Sequence, residues 1–273
     1  MKIKFTKMQA YGNDYIYIFT EPYEIEDYSL LAQKISDRHF GVGSDGMVLI
    51  SNSDTCDFRM RIFNLDGTEA EMCGNALRST AMFVYYHALT KKDIVTIETL
   101  GGNKIVYLSI FNNQVVNIHA MIGRPEPPAK QIPQNAVCFV IDRTFELFSL
   151  SWGNPHTVVF VDDVEEFDVE KYGKAIEYLE CFPERTNVTF AQLIDKSNIK
   201  IREWERGTGE TLGCGTGCCS AVVIAHRLGK CDRSVRVEQP GGTLDVLWDD
   251  DGNVHMIGPS HVVCEGEYSY DIK

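Results

Sequence analysis

The sequence predicts an α+β fold of two pseudo-symmetric domains, each a sheet of short strands wrapped around one central helix. Three observations carry this prediction. The chain repeats its own landmarks at a fixed spacing, apolar residues alternate in short runs through both halves, and a longer apolar run follows one Cys-Gly pair in each half. Self-similarity at a long period marks a fold built from repeated units. Gly12, which opens Gly12-Asn13-Asp14-Tyr15, stands 61 residues before Cys73, and Gly153, which opens Gly153-Asn154-Pro155-His156, stands 61 before Cys214. The offset between the halves is therefore 141 residues. Glu69 and Glu210 sit four residues before the two cysteines, Gly74 and Gly215 one after, and the pairs Gly101-Gly102 and Gly241-Gly242 follow 28 and 27 residues later. Landmarks kept in register to within one residue indicate a duplication, at a period far too long for a solenoid. The first repeat is placed at 1–120, with a C-terminal strand at about 263–273 as a candidate to rejoin it, and the second at 121–262. The Pro-rich stretch Gly123-Arg124-Pro125-Glu126-Pro127-Pro128 marks the boundary.

Taken in order, Lys2-Ile3-Lys4-Phe5, Met47-Val48-Leu49-Ile50, Phe58 to Phe63 and Val95-Thr96-Ile97-Glu98 alternate as half-buried strands do. Tyr28 to Arg38 has the pattern of an amphipathic surface helix, and Phe167 to Leu179 is its acidic counterpart. Ala76 to His87 and Cys218 to Leu228 are apolar enough to be buried helices. Gly41-Val42-Gly43-Ser44-Asp45-Gly46 fits G-x-G-x-x-G, but a helix precedes it and a strand follows, the reverse of a dinucleotide fold, so it reads as a tight turn. The glycine-rich Gly207 to Gly217 lacks the Gly-Lys-Ser/Thr ending of a phosphate loop. Asp162-Asp163-Val164-Glu165-Glu166 reads as a solvated acidic face.

Composition narrows the function. With 273 residues the chain can bury one large core or two modest ones. Lys and Arg number 26 against 39 Asp and Glu, for a formal charge of −13, and no basic run stands out, which argues against nucleic acid and anionic membrane as partners. No run of about 18 apolar residues occurs and no leader-like apolar stretch follows the opening lysines, so a cytoplasmic protein is expected. The nine cysteines are odd in number, scattered and free of C-x-x-C pairs, a pattern that points to reduced thiols and no structural zinc.

The chemistry then turns on which thiols react. Cys73-Gly74-Asn75 and Cys214-Gly215-Thr216 each fall at a predicted helix start, where unpaired N–H groups and the dipole favour anions. A thiol there is expected to have a lowered pKa, and the same amides can cradle a carboxylate. Two such thiols, one ionised and one not, can serve as base and acid on opposite faces of an amino-acid Cα without a cofactor. Cys56, Cys138, Cys181, Cys218, Cys219, Cys231 and Cys264 read instead as small buried hydrophobes. Asn64 and Glu205, nine residues before each cysteine, are polar groups in apolar surroundings and candidates to face a cleft.

The stretches Asn64-Leu65-Asp66-Gly67-Thr68-Glu69-Ala70-Glu71-Met72-Cys73-Gly74-Asn75 and Glu205-Arg206-Gly207-Thr208-Gly209-Glu210-Thr211-Leu212-Gly213-Cys214-Gly215-Thr216-Gly217 resemble the two signature regions of the diaminopimelate epimerases. The resemblance continues through Gly12-Asn13-Asp14, Gly153-Asn154-Pro155-His156, Thr186-Asn187-Val188 and Gly258-Pro259, in family order. It implies β-barrel-like sheets around the central helices and interconversion of LL- and meso-diaminopimelate for lysine and peptidoglycan synthesis, with no cofactor and no metal. It also implies roles: Cys73 and Cys214 as the acid/base pair, His156 and Glu205 assisting them, and the Gly74-Asn75 and Gly215-Thr216 amides on the reacting carboxylate. Asn13, Asn64, Asn154, Asn187 and the Glu205-Arg206 pair would bind the remaining groups, Arg206 forking onto the distal carboxylate. The implied partner is a small molecule, and a homodimer is left open. The chain departs from the family pattern at Ala76, at Cys218 and at Ala10-Tyr11. A racemase for another amino acid, an isomerase of the phenazine pathway and a thiol redox enzyme or Cys–His hydrolase are the competing readings.

Overall fold

Short alternating runs give the chain eighteen strands and four helices among the residues described by the computed structural model, 1–270. The chain divides into two units, Met1–Met121 together with the stretch that starts at Gly258, and Ile122–Ile257. Unit 1 contains β1 (Lys2–Ala10), β2 (Asn13–Phe19), α1 (Tyr28–Ser36), β3 (Gly46–Ser51), β4 (Phe58–Asn64), β5 (Glu69–Ala70), α2 (Gly74–Tyr86), β6 (Ile94–Glu98), β7 (Lys104–Phe111) and β8 (Gln114–Gly123). Unit 2 contains β9 (Asn135–Val140), β10 (Arg143–Ser151), β11 (Pro155–Phe160), α3 (Val169–Glu177), β12 (Asn187–Asp195), β13 (Asn198–Glu205), β14 (Gly209–Thr211), α4 (Gly215–Arg227), β15 (Ser234–Gln239), β16 (Gly242–Trp248) and β17 (Val254–Gly258). Strand β18 (His261–Ser269) pairs antiparallel with β1. Of the strand expected at about 263–273, residues 271–273 lie outside the described residues.

The strands of unit 1 pair in the order β18–β1–β2–β3–β4–β6–β7–β8, parallel at β2–β3 and β4–β6 and antiparallel elsewhere, with β5 against β4. Unit 2 repeats the order as β9–β10–β11–β12–β13–β15–β16–β17, with β14 against β13 and the same alternation of direction. The place beside β1 that β18 takes in unit 1 is taken by β9 beside β10 in unit 2. The offset of 141 holds at both ends of β1 and β10, of α1 and α3, and of α2 and α4. It also holds in register: Tyr15 faces Gly46 as His156 faces Asn187, and Ile62 faces Ala70 as Glu203 faces Thr211.

Aspartate caps fix the starts of the two amphipathic helices. Asp27 accepts the Leu30 N–H at the start of α1 and Asp168 the Lys171 N–H at the start of α3, caps worth about 1 kcal/mol each. Two buried layers hold unit 1 together. Ala76, Leu77, Ala81 and Val84 of α2 pack against Tyr17, Val48, Ile50, Met60 and Ile62, while Leu31, Ala32 and Ile35 of α1 cover Ile16, Ile18, Met47 and Leu49 on the other sheet face. That second layer corrects the sequence reading of Met47 to Ile50 as half-buried: all four are buried, because α1 closes the face the alternation assigned to solvent. Helix α4 is buried continuously from Gly217 to Ala225, as expected for a helix that is apolar all round. In unit 2, α3 lays Val169, Tyr172 and Ile176 over Val188 and Phe190.

All nine cysteines are free thiols. Cys218, Cys219 and Cys231 are buried and Cys56, Cys138 and Cys181 half-buried, but Cys264 is exposed on β18, against the expectation of a buried hydrophobe. Among the described residues no helix is long and apolar enough to cross a membrane.

Candidate active site

Cys73 and Cys214 are the N-cap residues of α2 and α4, with extended backbone at φ −137° and −119°. Both helices therefore begin earlier than the apolar runs suggested, because Gly74-Asn75 and Gly215-Thr216-Gly217 carry little helix propensity and conceal the first turn. In each unit a diglycine turn braces the approach to the thiol. The Gly101 N–H donates to the Glu71 carbonyl at 3.1 Å and the Gly241 N–H to the Leu212 carbonyl at 2.6 Å, each carbonyl lying two residues before its cysteine.

In unit 1 the Cys73 thiol lies 3.6 Å from Asn13 Oδ1, which also accepts from Asn75 Nδ2 at 3.4 Å. Asn13 is oriented in turn, its Nδ2 donating to Asp45 at 2.9 Å. Asp45 and Asp14 share Arg38, and Lys7 lies 2.8 Å from Asp14. Burial alone would raise the Asp14 carboxyl, but Arg38 and Lys7 outweigh it and hold the group below its ordinary value. Asn64 donates to the Thr68 hydroxyl at 3.0 Å, at the end of β4. The Arg78 side chain is wholly buried, donating to Asn75 Oδ1 at 2.7 Å and to the Gly74 carbonyl at 3.3 Å, so a guanidinium sits under the first turn of α2.

In unit 2 the Cys214 thiol accepts the Gly217 N–H at 3.4 Å and lies 3.5 Å from the Thr216 hydroxyl, while its own N–H donates to Gln239 at 3.1 Å. The helix-start position was expected to lower this thiol's pKa. Burial, followed by the nearby Glu205 and Glu203 carboxylates, pushes it well above its ordinary value instead, against the smaller opposing pull of Thr216 and the Gly217 amide. His156 is fully buried, with Nδ1 3.8 Å from Glu203 Oε1. Burial, with Arg206 acting in the same sense, pushes its imidazole down to about 3, so it is neutral at physiological pH. Asn187 is held at both ends, accepting the Arg206 N–H and donating to the Pro155 carbonyl, each at 2.9 Å. Glu205 accepts from the Thr211 hydroxyl at 2.6 Å, the exposed Arg206 side chain donates to the Glu184 carbonyl, and Asn154 is half-buried just before β11.

Unit 1 thus gathers Asn13, Cys73, Gly74 and Asn75, with Asn64 joined to its own turn, and unit 2 gathers Cys214, Gly215, Thr216, His156 and Glu205, with Asn187 bound to Arg206. Sequence reasoning passed over Arg78, Asp45, Gln239 and Glu203. Glu203 had a readable signal: on β13 the inward positions Ile199 and Ile201 are followed by an acid.

Opposed titrations at His156 and Glu203 give a test of this arrangement. The unfolded chain protonates His156 below pH 6.5 and the folded chain only near 3, so this group makes stability fall as pH drops through that window, by up to about 1.4 kcal/mol per unit. Glu203 is raised above 4.5, mainly by burial, so its contribution is full below 4.5 and lost as pH rises toward the folded value. Between 4.5 and 6.5 the two oppose each other. In Glu203→Gln the urea midpoint is expected to climb more steeply across that interval than in the unmodified chain.

The family described as "Diaminopimelate epimerase" matches residues 5–126 and 148–263. A diaminopimelate epimerase of Methanococcus maripaludis (strain C6 / ATCC BAA-1332) is 44% identical over 97% of this chain and 99% of its own length. One of Desulfovibrio desulfuricans (strain ATCC 27774 / DSM 6949 / MB) is 43% identical over 97% and 98%. Among solved structures, a phenazine biosynthesis protein of the PhzF family from Bacillus anthracis superposes with a TM-score of 0.72 at 18% identity, covering 99% of this chain and 100% of that one, a likeness of fold. The mostly-sheet α+β architecture, the paired cysteine motifs and the full-length similarity converge: the chain belongs to the diaminopimelate epimerase family and is an isomerase of the epimerase type.

Proposed function

We propose that the protein interconverts LL- and meso-diaminopimelate, in the route to lysine and peptidoglycan precursors, by moving the α-proton between the Cys73 and Cys214 thiols without a cofactor. The observation that carries this reading is the thiol at the N-cap of the central helix in each unit, at identical register. The amides of Gly74-Asn75 and Gly215-Thr216 are helix-terminal N–H groups of the kind that hold a carboxylate and stabilise charge spreading onto it as the α-proton leaves. One thiolate removes the proton and the other thiol donates to the opposite face, so each turnover exchanges their protonation states. Glu205 and the neutral His156 imidazole belong to the Cys214 arm, Asn13 to the Cys73 arm. Arg206 supplies the cation for the distal carboxylate, aided by Asn64, Asn154 and Asn187. The working compartment is the cytoplasm.

Chiral chromatography after incubation with LL-diaminopimelate, L-proline and trans-4-hydroxy-L-proline, without added cofactor, tests the substrate. Conversion of the first alone is expected. Conversion of a cyclic imino acid with diaminopimelate untouched would overturn the assignment while leaving the thiol chemistry in place.

A further inference from the structure

The two units place different chemistry at matching positions around their thiols. In unit 1, Cys73 packs against a cluster that includes Tyr15, Ile62 and Ala76. At the offset of 141 these positions in unit 2 are His156, Glu203 and Gly217. An apolar isoleucine has become an acid 2% exposed, and the alanine in the first turn of the helix has become glycine. The second change accommodates the first: a Cβ on Gly217 would lie 2.7 Å from Glu203 Cδ, so any larger residue there would have to displace the carboxyl from its present place. That carboxyl faces the Thr189 hydroxyl and the Cys214 thiol, and neither of its oxygens reaches hydrogen-bonding geometry with a partner among the described residues. Both ring nitrogens of His156 are in the same condition, 3.8 Å being too long for a hydrogen bond to Glu203. A buried carboxyl, imidazole and thiol grouped together are costly unless they have work to do with protons.

We propose that Glu203 is a positioning residue that keeps Cys214 in its protonated, proton-donating form. The argument rests on the two-thiol reading above. Cys214 is faced by Glu203 and Glu205 from β13 and by the Thr216 hydroxyl from α4, while Glu203 is faced by His156 from β11 and Thr189 from β12. A carboxylic acid is intrinsically far more acidic than a thiol, so the first proton lost from the Glu203–Cys214 pair leaves the carboxyl. The resulting carboxylate opposes a second charge on sulfur in a site where burial already penalises it. At the matching position unit 1 carries Ile62 in place of the acid.

The test is the pH dependence of carbamidomethylation of Cys214 by iodoacetamide, read by peptide mass spectrometry, a measurement independent of any substrate. In Glu203→Gln the alkylation midpoint is expected to fall by at least about one pH unit, a tenfold gain in thiolate at a given pH, and the alkaline limb of the kcat/KM profile to fall with it. Glu203→Asp is expected to restore the midpoint toward that of the unmodified chain. A midpoint unchanged in Glu203→Gln, or a rate raised equally at every pH as loosened packing would give, overturns the proposal. Loss of epimerase activity toward every substrate with the midpoint shift intact would instead count against the functional reading. Should Glu203→Gln fail to fold, carbon-13 NMR of the unmodified chain gives the second reading. One glutamate carboxyl is expected to titrate well above the ordinary glutamate range and to shift when Cys214 is alkylated, and absence of that resonance refutes the proposal.

Discussion

Changing either Cys73 or Cys214 to serine is expected to lower kcat/KM for epimerisation by roughly 10²–10⁴-fold, the usual worth of a positioned acid or base. A serine hydroxyl fits both positions, since each cysteine is an N-cap and serine is a favoured one. The Gly217 N–H that Cys214 now accepts can be accepted by oxygen as well. The loss is therefore chemical: an alkoxide at neutral pH is far rarer than a thiolate. Because the two groups act as a unit, the double variant is expected to be little worse than the poorer single one. Steady-state kinetics beside far-ultraviolet circular dichroism checks this, and a single variant within threefold of the unmodified rate would count against the paired-thiol reading.

Arg78→Ala is expected to produce the largest loss of stability among single changes near the thiols, about 3 kcal/mol by urea unfolding. The Arg78 guanidinium is buried and donates to Asn75 Oδ1 and the Gly74 carbonyl, the two residues that form the first turn of α2 after Cys73. Its removal leaves buried acceptors without their donor and a void beneath the turn, so KM is expected to rise as well. Arg78→Lys, which keeps the charge without the fork, is expected to recover only part of the loss. An unchanged urea midpoint in Arg78→Ala would show that the first turn of α2 stands without it.

How much of this was legible beforehand depends on what each residue's neighbours are. The duplication was readable because Gly12, Cys73 and Gly101 fix turns and helix starts locally, and local constraints survive in sequence as spacing. The thiols were readable for the same reason, each marking a helix start beside glycine. Met47 to Ile50 was misread because burial on the second sheet face depends on α1, a tertiary neighbour that alternation cannot reveal. The direction of the Cys214 shift was misread likewise: the helix start is local, but burial and the Glu203 and Glu205 carboxylates come from β13. Arg78 looked like an ordinary helical arginine, and only its placement under Asn75 shows otherwise.

The central claim is tested most directly by where deuterium enters in D₂O at low conversion of LL-diaminopimelate, followed by proton NMR and mass spectrometry. With one thiol removing the proton and the other delivering solvent-derived hydrogen to the opposite face, the first meso product carries deuterium at the inverted carbon, while unconverted LL substrate keeps its protium. Deuterium appearing in unconverted substrate as fast as in product would mean that one group both removes and returns the proton, and would contradict the two-thiol account.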